Sequence, residues 1–257
     1  MIEILSLRKS FQGKKVLDGV NLSIREGQIT TIIGMSGTGK SVLLKNIIGL
    51  IRPDGGQIFV DGLDVTTLSE RKLNALVRSK MSMVFQEAAL WDSLTIYDNI
   101  ALALRVHKHL SRAEIDRSIR ENLELVGLHG IENAYPAELS GGMKKRVGVA
   151  RAIAIRPRYL LYDEPTTGLD PINANIINNL ILRLDKHLGV TSIVVTHDIN
   201  SVERIADRVA MLHEGKIIVD IPKEDMWKHE HPVFRDFIRG YTGEEEGRDF
   251  VPEHSVE

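Results

Sequence analysis

Apolar and polar residues alternate from the first positions of the chain. Ile2 and Ile4, then Val20, Leu22 and Ile24, have the period of half-buried strands, with a turn at Glu26–Gly27. "QITTIIG" breaks that alternation with a run of apolar and β-branched residues and leads into a glycine-rich turn, as a more fully buried strand would. "GGQIFVDG", from Gly55 to Gly62, predicts another short strand between turns. Ser69 to about Lys80 predicts a helix capped by Ser69. Between Gln86 and Glu138 the period becomes helical. "SRAE" at Ser111–Glu114 has capping-box spacing, and Ile115, Ile119, Leu123 and Val126 form one stripe behind it. Strands return from Arg158 in "YLLYDEP", "TSIVVTHD" and "RVAMLHEGKII", with a helix through Ile172–Leu188. Strands alternating with helices imply a largely parallel sheet, and the helical middle reads as an insertion. From about Lys223 the chain combines aromatics (Trp227, Phe234, Phe237, Tyr241, Phe250) with the acidic run Glu244–Glu246, which predicts a short helix and a frayed end.

Composition narrows the function. The 257 residues are 43% hydrophobic, enough for a large α/β core, and the net charge of −2 supplies no basic field for nucleic acid. The absence of cysteine removes disulfides, thiolate catalysis and cysteine metal sites. No apolar run approaches the roughly 18 residues of a membrane span, so a cytoplasmic location is expected, with any spans supplied by another chain. "HKH" (His107, His109) and "HEH" (His229, His231) have no further ligands nearby and read as solvated surface.

The chemistry begins at "GMSGTGKS", Gly34, Met35, Ser36, Gly37, Thr38, Gly39, Lys40 and Ser41. It stands between the buried strand and an apolar helix, the context in which a phosphate loop works. Glycines let backbone N–H groups converge on phosphate oxygens, and the helix aims its positive end at them. Lys40 is expected to reach the outer phosphates of ATP and Ser41 to offer its hydroxyl to Mg²⁺. At the end of "YLLYDEP", Asp163 is placed to hold Mg²⁺ and Glu164 to polarise the attacking water. Gln86 and His197 also end strand-like runs. Gln86 is expected to reach Mg²⁺ or the water, and His197 to contact the γ-phosphate or the water.

"ELSGGMKKRVGVARAIA" contains an electrostatic oddity. Val147, Ala150, Ile153 and Ala154 mark a helix with Ser140 at its N-cap, yet Lys144, Lys145 and Arg146 crowd its positive end. Ser140, Gly141 and Gly142 would make a second anion site, and a polyphosphate in front of it would justify the cations. One subunit's phosphate loop would then face another subunit's "SGG" across a shared ATP.

In this order, "GMSGTGKS", "MVFQE", "LSGGM", "LLYDEPTTGLD" and "VVTHD" resemble the nucleotide-binding subunit of ABC transporters, over Met1 to roughly Gly215. The resemblance implies a P-loop NTPase fold: a RecA-like core, a small antiparallel β subdomain and an inserted α-helical subdomain at about 87–150. A cassette over 1–222 and a C-terminal extension over 223–257 are expected. It implies an ATPase whose homodimer holds each ATP between one phosphate loop and the opposite "LSGGM", with Asp170 in the loop crossing the seam and Phe11 stacked on adenine. The family usually has Gln at Met143 and Tyr at Phe11. "SKMSMVFQEAALWDSLTIYDNIALALR", "LSGGMKKRVGVARAIA" and "HPVFRDFIRGYTGE" look like the ATPase of Mla/Mce-type phospholipid transporters, which lies on the cytoplasmic face of the inner membrane and pairs with an integral-membrane permease and an MCE-domain lipid-binding protein. A soluble ABC ATPase acting on nucleic acid, or a P-loop kinase or switch, fits less of the sequence.

Overall fold

The computed structural model describes residues 1–107 and 110–240. The side chain of His107, and His109, Tyr241, Glu244–Glu246 and Phe250, lie outside the described residues. The elements in chain order begin with β1 (Ile2–Phe11), β2 (Lys14–Ile24), β3 (Ile29–Ile33), α1 (Lys40–Ile47), β4 (Gly55–Val60), β5 (Leu63–Asp64), α2 (Glu70–Leu73) and β6 (Met81–Val84). The helices α3 (Ile96–His107), α4 (Arg112–Leu125) and α5 (Gly141–Ala154) follow. The remainder is β7 (Tyr159–Asp163), α6 (Pro171–Leu188), β8 (Thr191–Thr196), α7 (Ile199–Ile205), β9 (Arg208–His213), β10 (Lys216–Pro222) and α8 (Pro232–Arg239).

Two sheets result. The first runs β2-β1-β4-β5, all antiparallel; the second runs β10-β9-β3-β8-β7-β6, parallel except for β10 against β9. In the antiparallel sheet alternate residues turn inward at Ile2 and Ile4 of β1 and at Val20, Leu22 and Ile24 of β2, and shifts of register bring in Leu7 and Leu17 out of that phase. In β3, β7 and β8 every residue is buried. Helices or the second sheet cover both faces of these strands, so their sequences need no polar alternation.

α1 lies between the sheets, where Leu43, Leu44 and Ile47 join one core cluster with β1, β2, β4 and β8. On the other face α3–α6 pack on β7 and β8; Ile115, Ile119, Leu123 and Val126 belong to this second cluster. The capping box forms: Ser111 Oγ accepts from Glu114 N, and the Glu114 carboxylate accepts from Ser111 N at 2.8 Å. Asn99, fully buried, ties down the approach to α3 through Trp91 N, Trp91 O, Leu94 O and Thr95 O.

One expectation changes. The segment after Ser69 is only one α-turn, then widens into a π-helical turn over Asn74–Arg78. Ser69 stands at the N-cap but its hydroxyl makes no cap bond. In the wider turn Val77 stays buried while the Arg78 guanidinium reaches Ile48 O and Gly49 O beyond α1. The short helix expected after about Lys223 forms, as α8, and it is docked on the core. A 3₁₀ segment over Lys223–Lys228 and then α8 bury Met226, Phe234 and Ile238 against Val202, Val209 and Val219. Burying Phe234 completely is worth about 1.5–3 kcal/mol.

Asp185, near the C-terminal end of α6, is poorly satisfied. Its Oδ1 is buried without a partner; burial, then the charge of Asp207, push its carboxyl up to about 6 against a smaller opposing effect of Lys186. A folded-state value above the unfolded one means stability is lost as pH rises from about 4 through about 6. Asp185→Asn is therefore expected to melt higher than the parent at pH 8 and level with it near pH 4. Thermal unfolding at both pH values checks this; an equal shift at both would contradict it.

Candidate functional site

The carboxyl ends of β3, β6, β7 and β8 point to one side of the parallel sheet, and the loops leaving them enclose a cavity of about 380 Å³. Ser36, Gly37, Gly39, Lys40, Ser41, Gln86, Glu164 and His197 line it, together with Val16, Val42 and Thr167. Eight residues singled out in the sequence, spread over more than 160 positions, thus share one wall.

The loop after β3 requires two of its glycines. A Cβ on Gly34 would lie 2.4 Å from Leu212 O; Gly39 has φ +102°, and its Cβ would lie 2.7 Å from Val16 Cγ1. Lys40 is 5% exposed, and its Nζ donates to Gly34 O at 2.8 Å and Met35 O at 3.0 Å, with Glu164 Oε1 3.4 Å away. The ammonium therefore stands at the mouth of its own loop, able to exchange carbonyl acceptors for phosphate oxygens. Ser41 Oγ donates to Asp163 Oδ1 at 2.6 Å. Burial raises the Asp163 carboxyl, and the bond from Ser41 works against that rise. A hydroxyl, a carboxylate and the nearby Gln86 amide form a hard oxygen donor set suited to Mg²⁺.

Glu164 has φ +47°, a backbone state that costs a non-glycine residue about 1–3 kcal/mol. Its N–H donates to Val195 O at 3.0 Å, so the neighbouring strand helps to hold the kink. Its carboxylate is gripped from three sides: Thr167 Oγ1 donates to Oε2 at 3.0 Å, His197 Nδ1 lies 2.9 Å from Oε2, and Lys40 faces Oε1. His197 thus touches Glu164 directly, a relation its position after "SIVVT" did not reveal. Thr167 was missed; its only sequence signal is a hydroxyl residue three positions after Glu164.

Phe11 does not line the cavity. It is an exposed ring at the end of β1, with Lys9 Nζ 5.4 Å from its centroid. Ser140, Gly141, Gly142 and Asp170 also lie outside the cavity wall and form a separate patch. Ser140 caps α5 by accepting from Met143 N at 3.3 Å. Asp170 caps α6 through Ile172 N and Asn173 N, both at 3.0 Å, and holds the Asn173 amide. A Cβ on Gly142 would lie 2.8 Å from Asn173 Oδ1, so Asn173, unnoticed in the sequence, joins the two motifs. Met143 packs against the apolar cluster of α3–α6.

Two of the cations at the start of α5 find partners within the chain. Lys145 Nζ donates to Pro165 O at 3.1 Å and to Thr167 O, and Arg146 donates to Val126 O at 3.3 Å and Gly127 O at 3.0 Å. Carbonyls of the same chain thus solvate two of the three cations that crowd the start of α5. "HEH" is likewise local: His229 and His231 stack at 6.4 Å, and His229 meets Phe234 edge-on at 5.3 Å. Among the described residues no group of three or more His, Asp or Glu is placed to hold a metal ion, and no helix is long and apolar enough to cross a membrane.

Residues 17–167 match the family model for the ABC transporter. The chain is 39% identical over 239 residues to the probable ribonucleotide transport ATP-binding protein mkl of Mycobacterium leprae, covering 93% of this chain and 69% of that protein. It is 40% identical over 240 residues to the intermembrane phospholipid transport system ATP-binding protein MlaF of Haemophilus influenzae, covering 93% of this chain and 90% of that protein. Among solved structures, the dimeric post-hydrolysis ATP-binding cassette MJ0796 bound to ADP and Pi superposes with a TM-score of 0.81 at 33% identity, covering 87% of this chain and 99% of that one.

Proposed function

Because the chain belongs to the ABC transporter family, as an ATP-hydrolysing cassette that works with ATP and Mg²⁺, we propose that it is the motor subunit of a transporter moving phospholipid between membranes. The observation that carries the choice of cargo is coverage. The match to the phospholipid-system protein takes in 90% of that protein, whereas the match to the ribonucleotide-transport protein leaves nearly a third of it outside. The stretches around Gln86 and His231 noted in the sequence support the same reading. In this reading residues 1–222 form the cassette, with a helical subdomain at about 87–150, and residues 223–257 form an extension. Two copies pair head to tail against an integral-membrane permease on the cytoplasmic face, and an MCE-domain protein carries the lipid. A cassette serving another cargo is the alternative, because the relatives are named for different substrates.

The cavity geometry supports a mechanism for its part. Lys40 releases Gly34 O and Met35 O to hold the outer phosphates of ATP, and Ser41, Gln86 and Asp163 would hold Mg²⁺. Mg²⁺ would there supply charge neutralisation to the phosphates. Glu164 accepts a proton from the water that forms the new bond to γ-phosphorus as the bond to the ADP oxygen breaks. Thr167 and His197 keep the carboxylate aimed at that water. Ser140, Gly141 and Gly142 of the second copy stabilise charge on the far side of the phosphate, with Asp170 at the seam and Phe11 stacking on adenine.

Isolation of the tagged chain from its own membranes tests the proposal. A polytopic permease, an MCE-domain protein and bound phospholipid are expected by mass spectrometry. A permease accompanied instead by a binding protein for a small soluble solute would overturn the choice of cargo.

A further inference from the structure

Three of the four cations of α5 share a pattern. Arg151, like Lys145 and Arg146, takes a pair of backbone carbonyls: Ala88 O at 2.7 Å and Ala89 O at 2.6 Å. Ala88 and Ala89, two and three residues after Gln86, have φ values of +59° and +48°. α5 also packs directly on this turn, since a Cβ on Gly148 would lie 3.2 Å from that of Ala88. The helix that starts at the Ser140–Gly142 patch therefore grips the loop behind Gln86 through Arg151 and the loop behind Glu164 through Lys145. The second grip is the more direct. Lys145 holds the carbonyl of Thr167, and the hydroxyl of the same residue holds Glu164 Oε2 at 3.0 Å. Burial of the ammonium lowers the Lys145 value, so the charge sits where its carbonyl partners replace water.

We propose that Lys145 is a positioning residue that couples the two nucleotide sites of a head-to-tail pair. Through α5 it links the patch presented to the partner's ATP with the loop that aims Glu164 at the chain's own ATP. This rests on the head-to-tail reading above. When Ser140–Gly142 engage the partner's phosphate, α5 moves as a rigid rod, and Lys145 carries the 165–167 loop with it. Thr167 then brings Glu164 into line. Each site becomes competent when the other is filled, and the coupling runs within one chain through a contiguous set of hydrogen bonds.

Steady-state ATP hydrolysis by the full chain, measured against ATP concentration for the parent, Lys145→Met and Lys145→Arg, tests this. The parent should give a Hill coefficient near its ceiling of about 2, the number of sites. Lys145→Met, which keeps the stem but loses the donors, should bring the coefficient to about 1. It should also lower kcat between about 10- and 100-fold, as a displaced catalytic group does, and leave the half-saturating ATP concentration within about 2-fold. Lys145→Arg, with donors for both carbonyls, should restore the steep curve. The double variant Glu164→Gln/Lys145→Met should still pair in Mg-ATP on size-exclusion chromatography, showing that it is folded and binds nucleotide. A Lys145→Met curve as steep as the parent's, with Glu164→Gln pairing normally, overturns the coupling and leaves the head-to-tail pair standing. Equal loss of kcat in both variants with the steepness unchanged makes Lys145 a brace only, and also overturns it. A Glu164→Gln chain that stays monomeric in Mg-ATP removes the pair itself, and the proposal with it.

Discussion

Glu164→Gln is expected to lower ATP hydrolysis by on the order of 10²–10⁴-fold, the usual worth of a positioned general base. ATP affinity should be unchanged or tighter. The substitution removes a proton acceptor and keeps a side chain of the same shape between Thr167 and His197, which contact the carboxylate at 3.0 and 2.9 Å. The Lys40 ammonium, 3.4 Å from Oε1, loses a competing anion and becomes freer to serve phosphate. With hydrolysis blocked, the ATP-bound pair should accumulate. Size-exclusion chromatography in Mg-ATP should show a dimer, and removing Mg²⁺ or substituting ADP should return it to monomer. Residual hydrolysis within a few-fold of the parent would mean that another group takes the proton.

Lys40→Ala should act at the earlier step, nucleotide binding. Charge-assisted hydrogen bonds contribute about 1.5–3 kcal/mol each, so losing one or two to the outer phosphates should weaken ATP binding by between about 10- and 10⁴-fold. The nucleotide-free protein should suffer as well. Gly34 O and Met35 O lose their donor, and Glu164, 8% exposed, loses its nearest ammonium. Leaving such buried groups unsatisfied costs about 1–3 kcal/mol. Titration with a fluorescent ATP analogue measures the first effect and urea unfolding without nucleotide the second. ATP affinity equal to the parent's would remove Lys40 from the phosphate site. The two variants separate cleanly, because Glu164→Gln should bind and fail to turn over, whereas Lys40→Ala should fail to bind.

Sequence order carried much of the site because phosphate chemistry constrains short stretches. A loop that must admit a Cβ neither beside Leu212 O at Gly34 nor beside Val16 at Gly39 can hardly be written without glycine, and Lys40 and Ser41 follow it directly. Asp163 and Glu164 were legible for a related reason: a fully apolar strand that ends in two carboxylates and a proline places them at the sheet's ligand edge. The helical stripe of α4 and the capping of Ser111 are also local patterns, set by a period of 3.6 and a spacing of three.

The cations of α5 show where local reading stops. A lysine and an arginine at a helix start are locally unfavourable, and their partners lie about 20 residues away in Pro165, Thr167, Val126 and Gly127. Separation along the chain also hid the grip of His197 on Glu164, the approach of Asn173 to Gly142, and the docking of Phe234 of α8 against Val202, Val209 and Val219. By itself the sequence determined which residues face inward, where helices start and which backbone must be glycine, since steric and periodic rules act within a few residues. Only the tertiary structure decided which carbonyl answers which cation, because a hydrogen bond depends on ångström-scale proximity that chain separation does not encode.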